Sequence, residues 1–158
     1  MRLSIAKPRN FRRTKNLVRR EEGSMLLETA LCLLAIVPAV LWMLELSMLI
    51  YTWNILSNAA RQGVRYAEIH GTDSSLCSGP SSGCADSSAA NVSAQVQQYA
   101  AMSYHDLSQM NISVAYPDGS SAPPSRVMVS LQYTYVPYLK LPGITRSLNV
   151  TAEGRIVF

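Results

Sequence analysis

The chain has few of the residues from which catalytic and metal sites are usually built. Its 158 residues include two histidines, His70 and His105, and three cysteines. Serine is abundant, but no nucleophile motif, no Ser/His/Asp set and no phosphate-binding glycine-rich loop can be argued. Each histidine is more simply a surface or loop residue than a ligand or a general base. The sequence therefore predicts a protein that is not an enzyme and that holds no cofactor and no metal ion.

Positive charge is scarce outside one end of the chain. Residues 1–23 contain eight Lys or Arg against two Glu, a net charge of +6, whereas the rest contains six Lys or Arg against eight Asp or Glu, a net charge of −2. The body of the chain therefore gives no electrostatic case for nucleic acid as a partner. Because basic residues beside a membrane span stay in the cytoplasm, the pattern predicts a cytoplasmic N-terminus and an extracytoplasmic C-terminal part.

A long apolar segment follows the basic leader. No charged residue occurs from Thr29 to Leu44, and apolar residues continue to Tyr51. As a helix, residues 25–51 would be about 40 Å long, more than the roughly 30 Å hydrocarbon core of a bilayer. The run is also much longer than the apolar region of an ordinary secretory signal. The sequence therefore predicts one membrane-spanning helix in contact with the lipid bilayer.

One acidic residue, Glu28, lies within the start of this segment. A carboxylate at the centre of a bilayer costs about 2.5–3.5 kcal/mol, so Glu28 either lies near the membrane surface or has a partner. On this residue alone, a surface position at the start of the helix is the simpler interpretation. Cleavage after Gly23 would give Ser24 a new ammonium group one helical turn away, which is a suitable partner in the same chain or in a neighbour.

A second acidic residue, Glu45, lies toward the far end of the segment, among Trp42, Tyr51 and Trp53. Aromatic residues of this kind collect at membrane–water interfaces. We expect Glu45 to lie near the outer headgroups, and the alternative is a pair with a cation on a neighbouring subunit.

The N-terminal pattern resembles the processing site of type IV pilins and pseudopilins: a basic leader, Gly23-Ser24, glutamate at the fifth position after the glycine, and a hydrophobic run. The segments ETALCLLAIVPAV and ELSMLIYTWNILSNAARQGVRYA resemble TadE-like minor pilins of the tight-adherence (Flp-type) pilus system. The resemblance covers residues 19–67. Ser24 stands where many major pilins carry phenylalanine.

The resemblance implies cleavage between Gly23 and Ser24 by a prepilin peptidase, and a pair between Glu28 and the amino group of Ser24 that sets subunit register. It implies other pilin and minor pilin subunits and the inner-membrane pilus assembly machinery as partners. It also implies a single-pass protein of the inner membrane that takes part in assembly or priming of a pilus used for attachment and biofilm. The alternative is an uncleaved, membrane-anchored extracytoplasmic binding module. An extracytoplasmic enzyme is the weakest hypothesis.

Three segments are expected: a cleaved and disordered leader over 1–23, a transmembrane helix continuing as an amphipathic stem over 24–70, and an extracytoplasmic α+β domain over 71–158. Cys77 and Cys84 flank a Ser/Gly-rich loop, for which a disulfide is the natural state outside the cytoplasm. Cys32 is most simply a small buried hydrophobe. Asp86 or Ser87 is expected to cap a second helix that extends from about residue 89 to residue 107.

The apolar period then changes to two, over 112–116, 127–135 and 148–158, which predicts three strands of an antiparallel sheet. The predicted fold class is α+β and pilin-like: a long N-terminal transmembrane helix continuing into a small domain with a second helix and a three-stranded sheet. Most of five tyrosines in this region are more simply core or edge residues of the sheet than an adhesive surface: Tyr104, Tyr116, Tyr133, Tyr135 and Tyr138.

Overall fold

The computed structural model describes residues 11–140 and 145–157, with residues 11–22 as backbone only. The elements along the chain are α1 (Phe11–Ile69), α2 (Ala90–Ala100), β1 (Asn111–Ala115), β2 (Arg126–Tyr135) and β3 (Arg146–Arg155). This is the α+β layout that the sequence predicts. The chain divides into two compact units, Met1–Leu44 and Glu45–Phe158. Expectations for residues 1–10, residues 141–144 and Phe158 lie outside the described residues.

Helix α1 begins at Phe11, earlier than the sequence predicts. The expectation of disorder is therefore wrong for the backbone of residues 11–22. This stretch contains Arg, Lys, Leu and Glu, which are good helix formers, and it contains no glycine or proline. Because adding a residue to an existing helix is far easier than nucleating one, the apolar helix extends upstream into the leader.

In the first unit, every described side chain from Gly23 to Leu44 is exposed. Cys32 is among them, so it is exposed, whereas the sequence predicts a buried residue. The segment Gly23–Ile69 is long and apolar enough to cross a membrane, with a mean hydropathy of 2.3 over its most apolar window. Pro38 lies inside this helix.

In the second unit, the core lies between the C-terminal part of α1, helix α2 and one face of the sheet. Residues of β2 alternate as predicted, and those facing the core are fully or almost fully buried: Val127, Val129, Leu131, Tyr133 and Tyr135. Small residues bring the two helices close together. A Cβ atom at Gly63 of α1 would lie only 2.5 Å from Cγ2 of Val96 in α2.

The sheet has the order β1-β2-β3, with both pairs antiparallel. Val129 of β2, for example, pairs with Val114 of β1 and with Ala152 of β3. Strand β3 ends at Arg155, before the predicted end, and Ile156 is buried just outside it.

Helix α2 ends at Ala100, shorter than the predicted 89–107. Polar side chains of the next segment bond their own backbone, which favours turns over helix. The His105 N–H donates to Ser103 Oγ at 3.2 Å, and the Ser108 N–H donates to Asp106 Oδ1 at 2.9 Å.

The loop before α2 has the disulfide that was predicted. Cys77 and Cys84 are bonded, with their Cα atoms 5.0 Å apart. Asp86 caps α2 as predicted, but from three residues before the N-cap position, which is Ala89. The Asp86 carboxylate accepts hydrogen bonds from the N–H groups of Ala90 and Asn91, both at 2.8 Å. The loop and the start of α2 are thus fixed by one covalent bond and one side-chain cap.

Candidate functional site

The residues that the sequence singles out for processing all lie on the exposed surface of α1. Gly23, Ser24 and Glu28 are exposed, and a Cβ atom at Gly23 would meet nothing within 4 Å. Glu28 follows Ser24 by four residues, so the two lie one helical turn apart. No described side chain forms an ion pair with Glu28. Within the described chain, this carboxylate therefore keeps its capacity for a charged partner.

Glu45 is in a different environment, because only 2% of it is exposed. Its Oε1 accepts a hydrogen bond from the Tyr135 hydroxyl at 2.7 Å and from the Tyr138 N–H at 3.0 Å. Its Oε2 accepts one from the Leu139 N–H at 3.4 Å. The carboxylate is thus held by the end of β2 and the loop that follows.

The expected pair with a cation on a neighbouring subunit is wrong, because three donors of its own chain satisfy the buried carboxylate. The expected level of Glu45 near the outer headgroups stays a prediction. A buried charge is tolerable only when it is hydrogen-bonded or paired, and these donors meet that requirement. The sequence alone does not show that the loop after β2 returns to α1.

The Tyr135 hydroxyl is kept in its donor form by its surroundings. Burial raises the pKa of Tyr135, and the hydrogen bond to Glu45 and the charge of Glu45 raise it further. Tyr135 is fully buried. The hydroxyl therefore stays protonated throughout the physiological range and continues to donate to Glu45.

His105 packs beside this cluster. It lies in a loop, which is one of the two expected positions, but it is not on the surface, since only 9% of it is exposed. Its ring centroid lies 4.7 Å from that of Tyr135 and 4.3 Å from that of Tyr138. Its Nδ1 lies 3.4 Å from Thr52 Oγ1, whose proton is donated to the Met48 carbonyl at 2.9 Å. This arrangement suits the His105 tautomer with its proton on Nδ1, which donates to Thr52.

The other ring nitrogen of His105, Nε2, is buried and has no hydrogen-bond partner among the described residues. Two cavities of about 490 and 440 Å3 include His105 in their walls, but the buried Nε2 does not open into either. Within residues 11–140 and 145–157, no group of three His, Cys, Asp or Glu residues is placed to hold a metal ion. The cluster is thus a packed junction between α1 and the end of β2, with no open reactive centre.

His70 has a local role at the end of α1. Its Nδ1–H donates to the Tyr66 carbonyl at 2.8 Å, and its ring stacks on that of Tyr66 with centroids 4.0 Å apart. This agrees with the simple interpretation of His70 as a structural residue near the surface.

The segment 79–83 has the letters Gly-x-Ser-x-Gly, a match that the sequence analysis missed. The structure places it in the disulfide loop, not at the strand-to-helix turn that this motif requires. Ser81 Oγ accepts hydrogen bonds from the Ser121 N–H at 2.8 Å and from the Ser121 hydroxyl at 2.7 Å. Ser81 thus joins two loops and is not placed as a nucleophile.

The five tyrosines divide between core and surface. Tyr133 and Tyr135 are buried as predicted, and Tyr116 is half-buried, with its hydroxyl donating to the Ser78 carbonyl at 3.0 Å. Tyr104 and Tyr138 are exposed by 77% and 56%, so the core interpretation fits most of the five tyrosines but not these two.

Helix α1 contains the segment of the chain that matches a known protein family. Residues 23–65, which begin at Gly23 and lie entirely within α1, match the family model described as TadE-like protein. Over this segment, which is less than half of the chain, the sequence is similar to TadE-like proteins. TadE-like proteins belong to the tight-adherence pilus system and are structural, pilin-type proteins. No curated protein and no solved structure matches the chain significantly. The TadE-like segment ends before α2, so it includes Glu28 and Glu45 but none of the strands.

Proposed function

We propose that this chain is a minor pilin, or pseudopilin, of a tight-adherence pilus, cut by a prepilin peptidase between Gly23 and Ser24. The observation that supports this most is the TadE-like match, which begins at Gly23 and continues through Glu28 and the exposed apolar part of α1. An exposed glycine with open space around it is accessible to a peptidase. The uncleaved membrane-anchored module stays the alternative outcome.

The exposed apolar side chains of α1 support two successive environments for this helix. Before assembly they contact lipid, and after assembly they pack against the helices of other pilin and minor pilin subunits. Glu28 is exposed on the same helix, and in either environment its charge needs a partner. The ammonium group of Ser24, its own or a neighbour's, is that partner and fixes the register between subunits.

The orientation in the inner membrane is supported by charge and by covalent chemistry. The leader carries a net charge of +6, which favours the cytoplasmic side. The Cys77–Cys84 disulfide is stable in an oxidising compartment, which supports a position of the Glu45–Phe158 unit outside the cytoplasm. In this orientation the unit meets the inner-membrane assembly machinery and contributes to assembly or priming of a pilus used for attachment.

The first test is the N-terminus of the membrane-extracted protein. We expect sequencing to begin at Ser24, with a mass loss equal to residues 1–23, and we expect the intact leader in cells that lack the peptidase. Gly23→Ala should leave the leader attached and stop pilus assembly. A Met1 N-terminus in cells that build pili would overturn the proposal and favour the uncleaved module.

The second test separates cleavage from assembly. Glu28→Gln removes the charge but keeps the size of the side chain, so we expect a cleaved protein that remains in the membrane and does not enter pili. Glu28→Asp, which keeps the charge, should retain part of the assembly. Normal assembly by Glu28→Gln would show that Glu28 is only a residue of the membrane interface.

A further inference from the structure

The Glu45–Phe158 unit has an exposed apolar surface beside residues 45–51 of α1. Its side chains are exposed by 77% at Tyr104, 56% at Val136, 56% at Tyr138 and 47% at Leu139, and Lys140 is exposed beside them. We call these five residues the foot. Most of the foot belongs to the short loop that follows β2.

The foot is fastened to α1 by polar and aromatic contacts. The N–H groups of Tyr138 and Leu139 donate to Glu45, as described above. The ring of Tyr104 lies 5.5 Å from that of Tyr51, and the Tyr138 hydroxyl donates to the Tyr104 carbonyl at 2.7 Å. The foot therefore stays at the level of residues 45–51 of the helix.

From Pro137 to Lys140, the loop of the foot has its backbone donors satisfied within the protein. Pro137 has no N–H, Tyr138 and Leu139 donate to Glu45, and the Lys140 N–H donates to the Pro137 carbonyl at 3.4 Å. A loop exposed only to water would not need such pairing, because water would solvate its amides. Where water is scarce, unpaired amides are costly, and non-helical backbone is tolerated only when it is satisfied internally.

The position of Glu45 along α1 matches the edge of a bilayer. Residues 25–44 form a helical segment about 30 Å long, which is the thickness of the hydrocarbon core. Glu45 comes directly after this segment. At the same level, the side of α1 that the unit leaves uncovered is still apolar, with Leu46, Ile50 and Trp53 exposed by 44%, 59% and 44%.

We propose that the foot lies in the headgroup region of the outer leaflet, so that the second unit is seated on the membrane surface before assembly. This rests on the proposed function, because it requires α1 to span the bilayer. Tyrosine rings and short apolar side chains suit the boundary between headgroups and acyl chains, and the Lys140 ammonium suits lipid phosphate. Glu45 then has a defined task, which is to hold the loop in this position.

The test uses the full chain, reconstituted in vesicles of phosphatidylcholine with one-fifth phosphatidylglycerol. A polarity-sensitive fluorophore is attached at Val136→Cys or Leu139→Cys in a Cys32→Ala background. Val157→Cys is the matched control, because Val157 is also an exposed valine (64%, against 56% for Val136). Val157 lies just after β3, whose last residue, Arg155, pairs with Arg126 at the start of β2. Val136 follows the other end of β2. The ten paired residues of β2 separate these two ends by about 30 Å.

Native Cys32, labelled in the unsubstituted chain, reports insertion of α1 independently, because it is exposed on the apolar segment. We expect brominated phospholipid to quench the label at Cys32, Val136 and Leu139 and to leave the label at Val157 bright. Quenching at Cys32 alone would overturn the proposed position of the foot in the headgroup region, but not the proposal that α1 spans the bilayer. A blue-shifted but unquenched label at Val136 would show that protein, not lipid, covers the foot, and would also overturn the proposal. No quenching at Cys32 would refute both the membrane-spanning α1 and the position of the foot.

Discussion

Glu28 and Glu45 are two glutamates of the same helix, and both interrupt apolar sequence, yet their surroundings are opposite. Glu28 belongs to the Met1–Leu44 unit and is exposed, with no ion pair to any described side chain. Glu45 opens the Glu45–Phe158 unit, is almost fully buried and accepts hydrogen bonds from three donors of its own chain. One carboxylate is satisfied by the fold, and the other has no ion-pair partner among the described side chains.

The difference shows how an acidic residue in an apolar segment should be interpreted. Its cost in a low-dielectric environment requires a partner, but the requirement alone does not say which molecule provides it. Glu45 serves folding, because its partners are already in place. Glu28 serves assembly under our proposal, because its partner appears only after cleavage or from a neighbouring subunit.

The largest expected effect is on folding, when the two glutamates are replaced in the same way. Glu45→Leu leaves the buried Tyr135 hydroxyl and the partly buried N–H groups of Tyr138 and Leu139 without an acceptor. Because each lost acceptor costs about 1–3 kcal/mol, we expect the free energy of unfolding to fall by roughly 3–5 kcal/mol. The measurement is equilibrium unfolding of the full chain in mild detergent, followed by near-UV circular dichroism.

Glu28→Leu is the matched variant, since Glu28 is exposed and its loss strands no described donor. A change at an exposed site is usually within about 0.5 kcal/mol, so unfolding should hardly change while pilus assembly is lost. Equal destabilisation by Glu28→Leu and Glu45→Leu would show that the two glutamates contribute equally to folding, against the contrast drawn above.

The sequence predicts those parts of the fold in which neighbouring residues decide the outcome. The alternation in β2 predicts which face is buried, from Val127 to Tyr135, because successive side chains of a strand point to opposite faces. The Asp86 cap and the Cys77–Cys84 disulfide are also local, and both are confirmed. The segment that carries Gly23, Ser24 and Glu28 is recognisable because it is continuous in sequence.

The buried cluster was not predictable, because its members are distant in sequence. Glu45 and Tyr135 are ninety residues apart, and Thr52 and His105 are fifty-three apart. Nothing near His105 distinguishes a buried imidazole from one in a surface loop. Each residue takes its environment from a return of the chain to α1, which is fixed by the packing of the whole unit.

The next effect concerns two glycines of α1, again one in each unit. Gly63→Ala would place a Cβ atom 2.5 Å from Cγ2 of Val96, in a core that also contains Val129 at 3.6 Å. Overpacking of this kind costs typically 1–3 kcal/mol, and we expect about 2 kcal/mol. Gly23→Ala meets nothing within 4 Å and should leave the stability unchanged or slightly raised, since alanine favours helix.

A further substitution checks the cause. Val96→Ala removes the methyl groups that the new Cβ of Gly63→Ala would meet, so the double variant should be more stable than the sum of the two single losses predicts. Additive losses would show that Gly63 matters for some reason other than close approach to α2.

The smallest expected effect concerns a third acid, Asp86, which is satisfied by its own chain like Glu45 but is only half-buried. Partial burial acts to raise its pKa, but hydrogen bonds from the Ser78 hydroxyl and from the N–H groups of Asn91 and Ala90 act against this and lower the pKa overall. Asp86→Ala removes the cap of α2, and we expect a loss of about 1 kcal/mol, because water replaces part of what is lost.

The pH dependence of that loss follows from the direction of the shift. A carboxyl group whose pKa is lower in the folded state contributes its full stability above the unfolded value of about 3.9, and loses it as the pH falls through the folded value. The difference between the wild type and Asp86→Ala should therefore be constant near neutral pH and shrink only in acid, measured by urea unfolding at decreasing pH. If the difference were the same in acid as at neutral pH, the cap would not depend on the charge of Asp86. The stability lost on replacing Asp86 would then come from its hydrogen bonds alone.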